Sequence, residues 1–169
     1  MAFNAGEKLF LDSGFKKKDV GFLLYVSEGL DYKAPATAVI LQDRLGLPLN
    51  IGAIDVPLGC SGFTHALGIA KMVIESGQAK NVLLLFGDTP SFVSHPKDFA
   101  LRSLFSDAGA AVWVGESDAN SIGGFVYGSD GSGAKNLFVD QSSTRNPLDQ
   151  KWLDDNEDAS GMLYGQMKM

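Results

Sequence analysis

The stretch Asp55-Val56-Pro57-Leu58-Gly59-Cys60-Ser61-Gly62-Phe63 joins a predicted strand, residues 51–56, to a predicted helix, residues 61–76, and carries the only cysteine of the chain. A helix N-terminus has unpaired N–H groups and a partial positive charge, which favour a thiolate and can stabilise an oxyanion. By composition alone, a lone cysteine is also a common small buried apolar residue. The position at a strand-to-helix junction makes Cys60 the candidate nucleophile and leaves both interpretations open.

Strands and helices alternate on both sides of this junction. Short continuous apolar runs predict strands at residues 21–26, 82–86, 110–114 and 122–127. Helical spacing predicts an opening helix at residues 3–13, which ends at Gly14, and a second helix that Pro35 opens and Gly46 ends. The helix after Cys60 has small residues for close packing at Gly62, Ala66, Gly68 and Ala70. This alternation predicts an α/β fold with a mixed, mainly parallel sheet covered on both faces.

Composition limits the classes of function. The chain has 169 residues and a formal net charge of −6, with its basic residues scattered, so a nucleic-acid partner is not expected. No apolar run approaches the roughly 20 residues that cross a bilayer, and one free cysteine suits a reducing compartment, so we expect a cytoplasmic protein without membrane attachment. Helical periodicity begins almost at the first residue and no polar tail follows the last, so a piece of a longer protein is expected.

Other residues with reactive side chains carry less weight. His65 follows Cys60 by five residues, which turns it roughly 140° around the helix axis and predicts a packed or hydrogen-bonded helix residue rather than a catalytic partner. His95 precedes Pro96 in a predicted loop, where a surface imidazole is the simpler interpretation. One cysteine and two distant histidines lack the spacing of metal ligands, so neither a metal nor a cofactor is expected.

Three segments, residues 31–46, 55–63 and 104–110, resemble in the same order the N-terminal half of β-ketoacyl-[acyl-carrier-protein] synthase III and its thiolase-fold relatives. The resemblance implies a thiolase-like half-domain over residues 1–169, without the family's first segment and its C-terminal half. It also implies a buried helix that starts at the cysteine. The strand at residues 82–86 is then expected to be an uncovered edge that pairs two copies in a homodimer.

The resemblance also implies a reaction. Cys60 would take an acyl group from a primer acyl-CoA and pass it to malonyl-acyl-carrier-protein, which loses carbon dioxide, to give a 3-oxoacyl product of fatty-acid synthesis. The His and Asn that assist decarboxylation in the family belong to its C-terminal half, so this chain alone is expected to hold the nucleophile without its partners and to be unable to condense substrates.

The chain departs from the family pattern at its expected substrate-binding residues. Ala34 stands at the substrate mouth where a large aromatic is common, and Phe99 stands where some members clamp the CoA adenine with arginine. Ser106 and Ala108 replace two glycines of the third segment. Two alternatives stay open: a related acyl-CoA condensing enzyme of a specialised pathway, and a non-catalytic partner subunit, against which the retained Cys60 argues. An aromatic packed in a surface loop is the alternative for Phe99.

Overall fold

The computed structural model describes residues 1–95, 97–119, 121–139, 145 and 154–155, and the backbone of residues 167–168. The chain divides into two units, which are described separately below. The first unit comprises residues 1–88 and 108–125, and the second comprises residues 89–107 and 126–169. Among the described residues, no helix combines the length and the apolar character needed to span a membrane.

The first unit is built on a four-stranded sheet. Its strands are β1 (Phe22–Val26), β2 (Gly52–Val56), β3 (Asn81–Asp88) and β4 (Ala108–Gly115), and their order across the sheet is β2-β1-β3-β4. Strand β1 pairs in parallel with β2 and β3, whereas β4 pairs antiparallel with β3. The mixed, mainly parallel sheet predicted from the sequence is therefore confirmed.

Helices cover both faces of this sheet. They are α1 (Ala2–Ser13), α2 (Thr37–Arg44) and α3 (Gly62–Glu75). Successive side chains of a strand point to opposite faces, so Leu83 and Leu85 of β3 join the core with α1 and α2, while Leu84 joins the core with α3. All three leucines are completely buried. Burial on both faces explains why β3 is a continuous apolar run instead of an alternating one.

Three glycines end the helices where the sequence predicts. Gly14, Gly46 and Gly77 have φ values of 74°, 63° and 74°, in the left-handed region that a residue with a Cβ rarely adopts. The start of the second helix differs from the prediction. Helix α2 begins at Thr37 instead of Pro35, and the N-cap residue is Ala36, whose side chain cannot accept a capping hydrogen bond.

The prediction of a strand at residues 122–127 is wrong. These residues form no strand, and Val126 and Tyr127 are exposed. Two consecutive glycines, Gly123 and Gly124, weaken the strand tendency of this segment because they add backbone entropy and no side chain that packs. Within the first unit, the Ile122 carbonyl oxygen accepts a hydrogen bond of 2.8 Å from Lys71 of α3.

The proposal that residues 82–86 form an uncovered edge strand is also wrong. These residues lie in β3, which has β1 on one side and β4 on the other. Strands β2 and β4 are the edges of the described sheet. The error arises because an apolar run indicates burial, but burial against neighbouring strands and burial against a second copy give the same sequence pattern.

The described part of the second unit is mostly irregular. It contains a short 3-10 helix at Pro90–Phe92, helix α4 (Phe99–Leu104), a 3-10 turn at Gly131–Gly133, and strands β5 (Phe138–Val139) and β6 (Met167–Lys168), which pair antiparallel. Asp98 caps α4 by accepting a hydrogen bond of 3.0 Å from the Leu101 N–H. The Asp107 carboxylate accepts hydrogen bonds from the backbone N–H and hydroxyl of Ser91 at 2.9 and 2.6 Å.

Candidate active site

Cys60 lies in a tight turn between β2 and α3. The Gly62 N–H donates a hydrogen bond of 2.8 Å to the Gly59 carbonyl oxygen, so Cys60 and Ser61 are the two central residues of the turn. Ser61 has φ −85° and ψ −7°, close to the third residue of a type I turn. Helix α3 starts at Gly62, one residue after the start at residue 61 that the periodicity predicts and two residues after the cysteine.

The thiol of Cys60 is exposed. Cys60 belongs to neither hydrophobic core of the described residues. A type I turn projects its central side chains away from the turn, which accounts for the exposure. The residue is a free cysteine at the carboxyl end of parallel strands, the edge where open α/β sheets commonly bind their ligands.

Glycines let the Cys60 turn sit directly on the end of β1. A Cβ built at Gly62 would lie 2.5 Å from Cγ1 of Val26, the last residue of β1, so any larger residue would force the helix away from the sheet. Gly62, Ala66 and Ala70 recur every four residues on the face of α3 that packs on the sheet, and all three are buried. Gly68 is also buried but lies about 200° around the helix axis from Ala66. The sequence prediction of close packing is confirmed for Gly62, Ala66 and Ala70.

An aspartate at the end of β3 holds the loop that follows β1. Asp88 Oδ1 accepts hydrogen bonds from the Ser27 hydroxyl at 2.8 Å, the Glu28 N–H at 2.8 Å and the Gly29 N–H at 3.2 Å. Nearby, the Tyr25 hydroxyl donates to the Gly87 carbonyl oxygen at 2.9 Å, and burial raises the pKa of Tyr25. These contacts fix the backbone at the carboxyl ends of β1 and β3, the same end of the sheet at which Cys60 follows β2. Sequence reasoning missed them because they join residues about 60 positions apart.

Asp55 of the cysteine segment has a structural role that the sequence did not reveal. Its two carboxylate oxygens accept hydrogen bonds from the N–H groups of Thr37 at 2.8 Å and Ala38 at 2.7 Å. A carboxylate on β2 thus caps α2, whose own N-cap residue is alanine, and this explains why the helix starts at Thr37. The only feature of the sequence that could have indicated this capping role is the presence of an acidic residue, Asp55, in an otherwise apolar strand.

Asp55→Ala is expected to lower the free energy of unfolding by about 1–2 kcal/mol, because two N–H groups at the start of α2 lose their acceptors. Asp55→Asn keeps one carbonyl oxygen and should lose less. Chemical denaturation of both variants measures the effect, with Asp43→Ala on the exposed side of α2 as the matched control. Equal stability of the Asp55→Ala and Asp43→Ala variants would contradict the capping role.

The two histidines hydrogen-bond locally. His65 Nδ1 lies 2.9 Å from the Ser61 carbonyl oxygen, one turn earlier along the chain. His95 Nδ1 accepts a hydrogen bond of 3.1 Å from the Lys97 N–H. Within the described residues, no group of three or more His, Cys, Asp or Glu side chains is arranged to hold a metal ion. The prediction that His65 is a hydrogen-bonded helix residue is confirmed.

The expected substrate-binding residues lie in different units. Ala34 belongs to the first unit and is exposed in the loop before α2. Phe99 belongs to the second unit, where it is the first residue of α4, and 83% of its surface is exposed. The alternative interpretation of Phe99 as an aromatic packed in a loop is therefore wrong on both points.

Comparison with known proteins shows which family this chain resembles. The model of 3-oxoacyl-[acyl-carrier-protein] synthase III matches residues 54–131, which include Cys60. A β-ketoacyl-[acyl-carrier-protein] synthase III of Caldanaerobacter subterraneus subsp. tengcongensis is 33% identical over 157 residues, which is 92% of this chain and 47% of that protein. The chain belongs to the synthase III family. It spans about half the length of the curated relatives it matches.

Solved structures agree with this assignment. A 3-oxoacyl-(acyl-carrier-protein) synthase III crystal structure superposes with a TM-score of 0.87 and 39% identity, over 99% of this chain and 51% of that one. The priming β-ketosynthase of the R1128 polyketide biosynthetic pathway superposes with a TM-score of 0.78 and 30% identity, over 84% of this chain and 42% of that one. The thiolase-like fold that the synthase III resemblance implied is therefore confirmed.

Proposed function

We propose that this chain is the nucleophile-bearing part of a condensing acyltransferase of fatty-acid synthesis. The observation that carries the proposal is the exposed Cys60 thiol, held in a tight turn at the carboxyl end of parallel strands inside the segment that matches synthase III. A non-catalytic subunit that only shapes an acyl pocket has no need of a thiol at this place.

The proposed reaction has two steps. In the first, Cys60 Sγ bonds to the carbonyl carbon of a primer acyl-CoA, the bond from that carbon to the CoA sulfur breaks, and CoA leaves as its thiol. In the second, malonyl-acyl-carrier-protein loses carbon dioxide, and the carbanion attacks the Cys60 thioester. The Cys60 thiolate then leaves, and the carrier protein is released with a 3-oxoacyl chain.

The whole enzyme needs more than the described residues supply. This chain spans about half the length of its curated relatives, and the resemblance assigns the His and Asn of decarboxylation to the family's C-terminal half. We therefore propose that residues 1–169 form an N-terminal thiolase-like domain, and that the remaining half of the full-length enzyme supplies the His and Asn used in the family. We further propose a cytoplasmic enzyme that takes both substrates from solution.

Mass spectrometry of the full-length enzyme with a panel of acyl-CoAs tests the proposal. Incubation with each acyl-CoA should add the mass of one acyl group, and the extent of addition should report the preferred primer length. Addition of malonyl-acyl-carrier-protein should then discharge the adduct and give a 3-oxoacyl-carrier-protein. A protein that gains no acyl mass from any member of the panel would contradict the proposal.

A second candidate function is condensation in a specialised pathway. It is supported by the R1128 priming ketosynthase, a relative from a polyketide pathway that is 30% identical. A condensing enzyme of a specialised pathway would use the same Cys60 chemistry with a different primer or acceptor. The same panel separates the two functions: a preference for short primers with the carrier protein of fatty-acid synthesis favours the first, and discharge only to another carrier favours the second.

Phe99→Ala is expected to weaken acyl-CoA binding several-fold in the full-length enzyme while leaving stability unchanged. An exposed aromatic ring can stack on the adenine of CoA, and phenylalanine adds no charge toward phosphate, so the Phe99 contribution should vary little with salt. Isothermal titration at two salt concentrations measures this, with Phe92→Ala, another exposed phenylalanine of the second unit, as the control. Unaltered affinity of Phe99→Ala would contradict the stacking role.

We propose that the enzyme is a homodimer that pairs through the free edge of β2. Ile54, in the middle of this edge strand, is a large apolar residue with 44% of its surface exposed, whereas the exposed residues at the start of β4 are alanine and glycine. Ile54→Arg should shift the sedimentation mass toward the monomer, and Leu11→Arg on α1 should not. A monomeric parent, or an unchanged mass for Ile54→Arg, would overturn the proposal.

A further inference from the structure

Glu28 stands beside the Cys60 turn. A Cβ built at Gly59, the residue before Cys60, would collide with the carboxylate of Glu28. The collision partners are the carboxylate carbon and both oxygens, so the end of the Glu28 side chain rests directly on the backbone of Gly59. No sequence pattern indicated this contact, because Glu28 and Gly59 belong to the loops that follow two different strands.

The backbone under Glu28 is fixed at this position. Its N–H donates to Asp88 Oδ1 at 2.8 Å, and the flanking Ser27 and Gly29 bond to the same oxygen. The Ser27 N–H also donates to the carbonyl oxygen of Val56 at 3.2 Å, which ties the Glu28 loop to the strand that leads to Cys60. The Glu28 carboxylate is thus delivered to the Cys60 turn by a hydrogen-bonded loop, and Gly59 leaves the space that it occupies.

The geometry points to a chemical role for this carboxylate, and we propose that Glu28 is the proton acceptor for the Cys60 thiol during acyl loading. The proposal rests on the proposed function of Cys60. As Sγ bonds to the acyl carbonyl carbon, the Sγ proton passes to a Glu28 oxygen. When the tetrahedral adduct collapses, the bond to the CoA sulfur breaks and the Glu28 carboxylic acid returns the proton to the CoA thiolate. The products are acyl-Cys60 and CoA, and the carboxylate is restored.

Glu28→Gln in the full-length enzyme is the direct test, since the amide keeps the size of the side chain but accepts no proton. The rate of acyl loading from acyl-CoA should fall about 100-fold. The rate of Cys60 alkylation by iodoacetamide should stay equal or increase, because the thiolate attacks this reagent directly and the change removes a negative charge from the Cys60 turn. Glu28→Asp should restore part of the loading rate, and Glu75→Gln at the far end of α3 is the matched control.

Gly59→Ala supplies a second, independent variant. The methyl group would displace the Glu28 carboxylate without removing it, and loading should slow as it does in Glu28→Gln. The double variant should be no slower than Glu28→Gln alone, because both changes remove the same interaction. An additive loss in the double variant would overturn the proposal.

The outcomes separate this inference from the proposed function. A parent enzyme that loads no acyl group contradicts the role of Cys60 itself. A parent that loads normally, with Glu28→Gln loading at the same rate, overturns the role of Glu28 and leaves Cys60 in place. Loading and alkylation that fall by the same factor also overturn it, because collapse of the turn would slow both reactions together.

Discussion

Cys60→Ala is expected to abolish the proposed acyl transfer by the full-length enzyme and to leave its stability unchanged. The thiol is exposed and packs into neither hydrophobic core, so its removal costs the fold little while it removes the atom that forms the thioester. Cys60→Ser should also lose most activity, because a hydroxyl of similar size does not ionise near neutral pH as a thiol does. Transfer of labelled acyl groups and thermal unfolding measure the two quantities on the same samples.

Ser61→Ala is a suitable control for this pair, because it changes the neighbouring exposed residue of the same turn and keeps the thiol. It should retain activity within a few-fold of the parent. A covalent acyl adduct on the Cys60→Ala protein, at the level found in the parent, would show that another residue is the acceptor.

Leu84→Lys is expected to prevent folding. Leu84 is completely buried in the central strand β3 against the core formed with α3, and a lysine there would place an unpaired charge in an apolar interior. The penalty of several kcal/mol is comparable with the whole stability of an ordinary domain. Leu84→Ala should cost about 2–5 kcal/mol and stay measurable by denaturation, because it removes apolar contacts and leaves a cavity.

Leu49→Lys is the matched control, since 92% of the surface of Leu49 is exposed. It should express and unfold like the parent. A Leu84→Lys protein that folds with parental stability would mean that β3 is accessible at its face, and would restore the idea that this strand forms an interface.

Most of the first unit was predictable because its rules are local. The continuous apolar run of β3, the small residues of α3 and the glycines that end three helices each carry their structural meaning within a few residues. The order of strands across the sheet is a non-local property, and for this reason the interior position of β3 was mistaken for an edge. The start of α2 escaped prediction for the same reason, since its capping group comes from Asp55, 18 positions later in the chain.

The residues of the candidate site also fall into a group that local sequence predicts and a group that only the fold brings together. Cys60 was predictable because a strand, two small residues and a helix surround it in the sequence. Glu28 and Asp88 were not, because Asp88 holds the loop of Glu28, and Glu28 reaches the Cys60 turn, only through the parallel pairing of β1 with β2 and β3. The sequence therefore supplies the nucleophile, whereas the residues that surround it become apparent only when the sheet brings the ends of its strands together.

Peptide-level mass spectrometry after exposure of the full-length enzyme to acyl-CoA tests the central claim most directly. The account predicts one acyl group, located on the peptide that contains Cys60, released by neutral hydroxylamine as a thioester and absent from the Cys60→Ala protein. An acyl group located on any other peptide, or a Cys60 peptide that stays unmodified while the enzyme turns over, would contradict it.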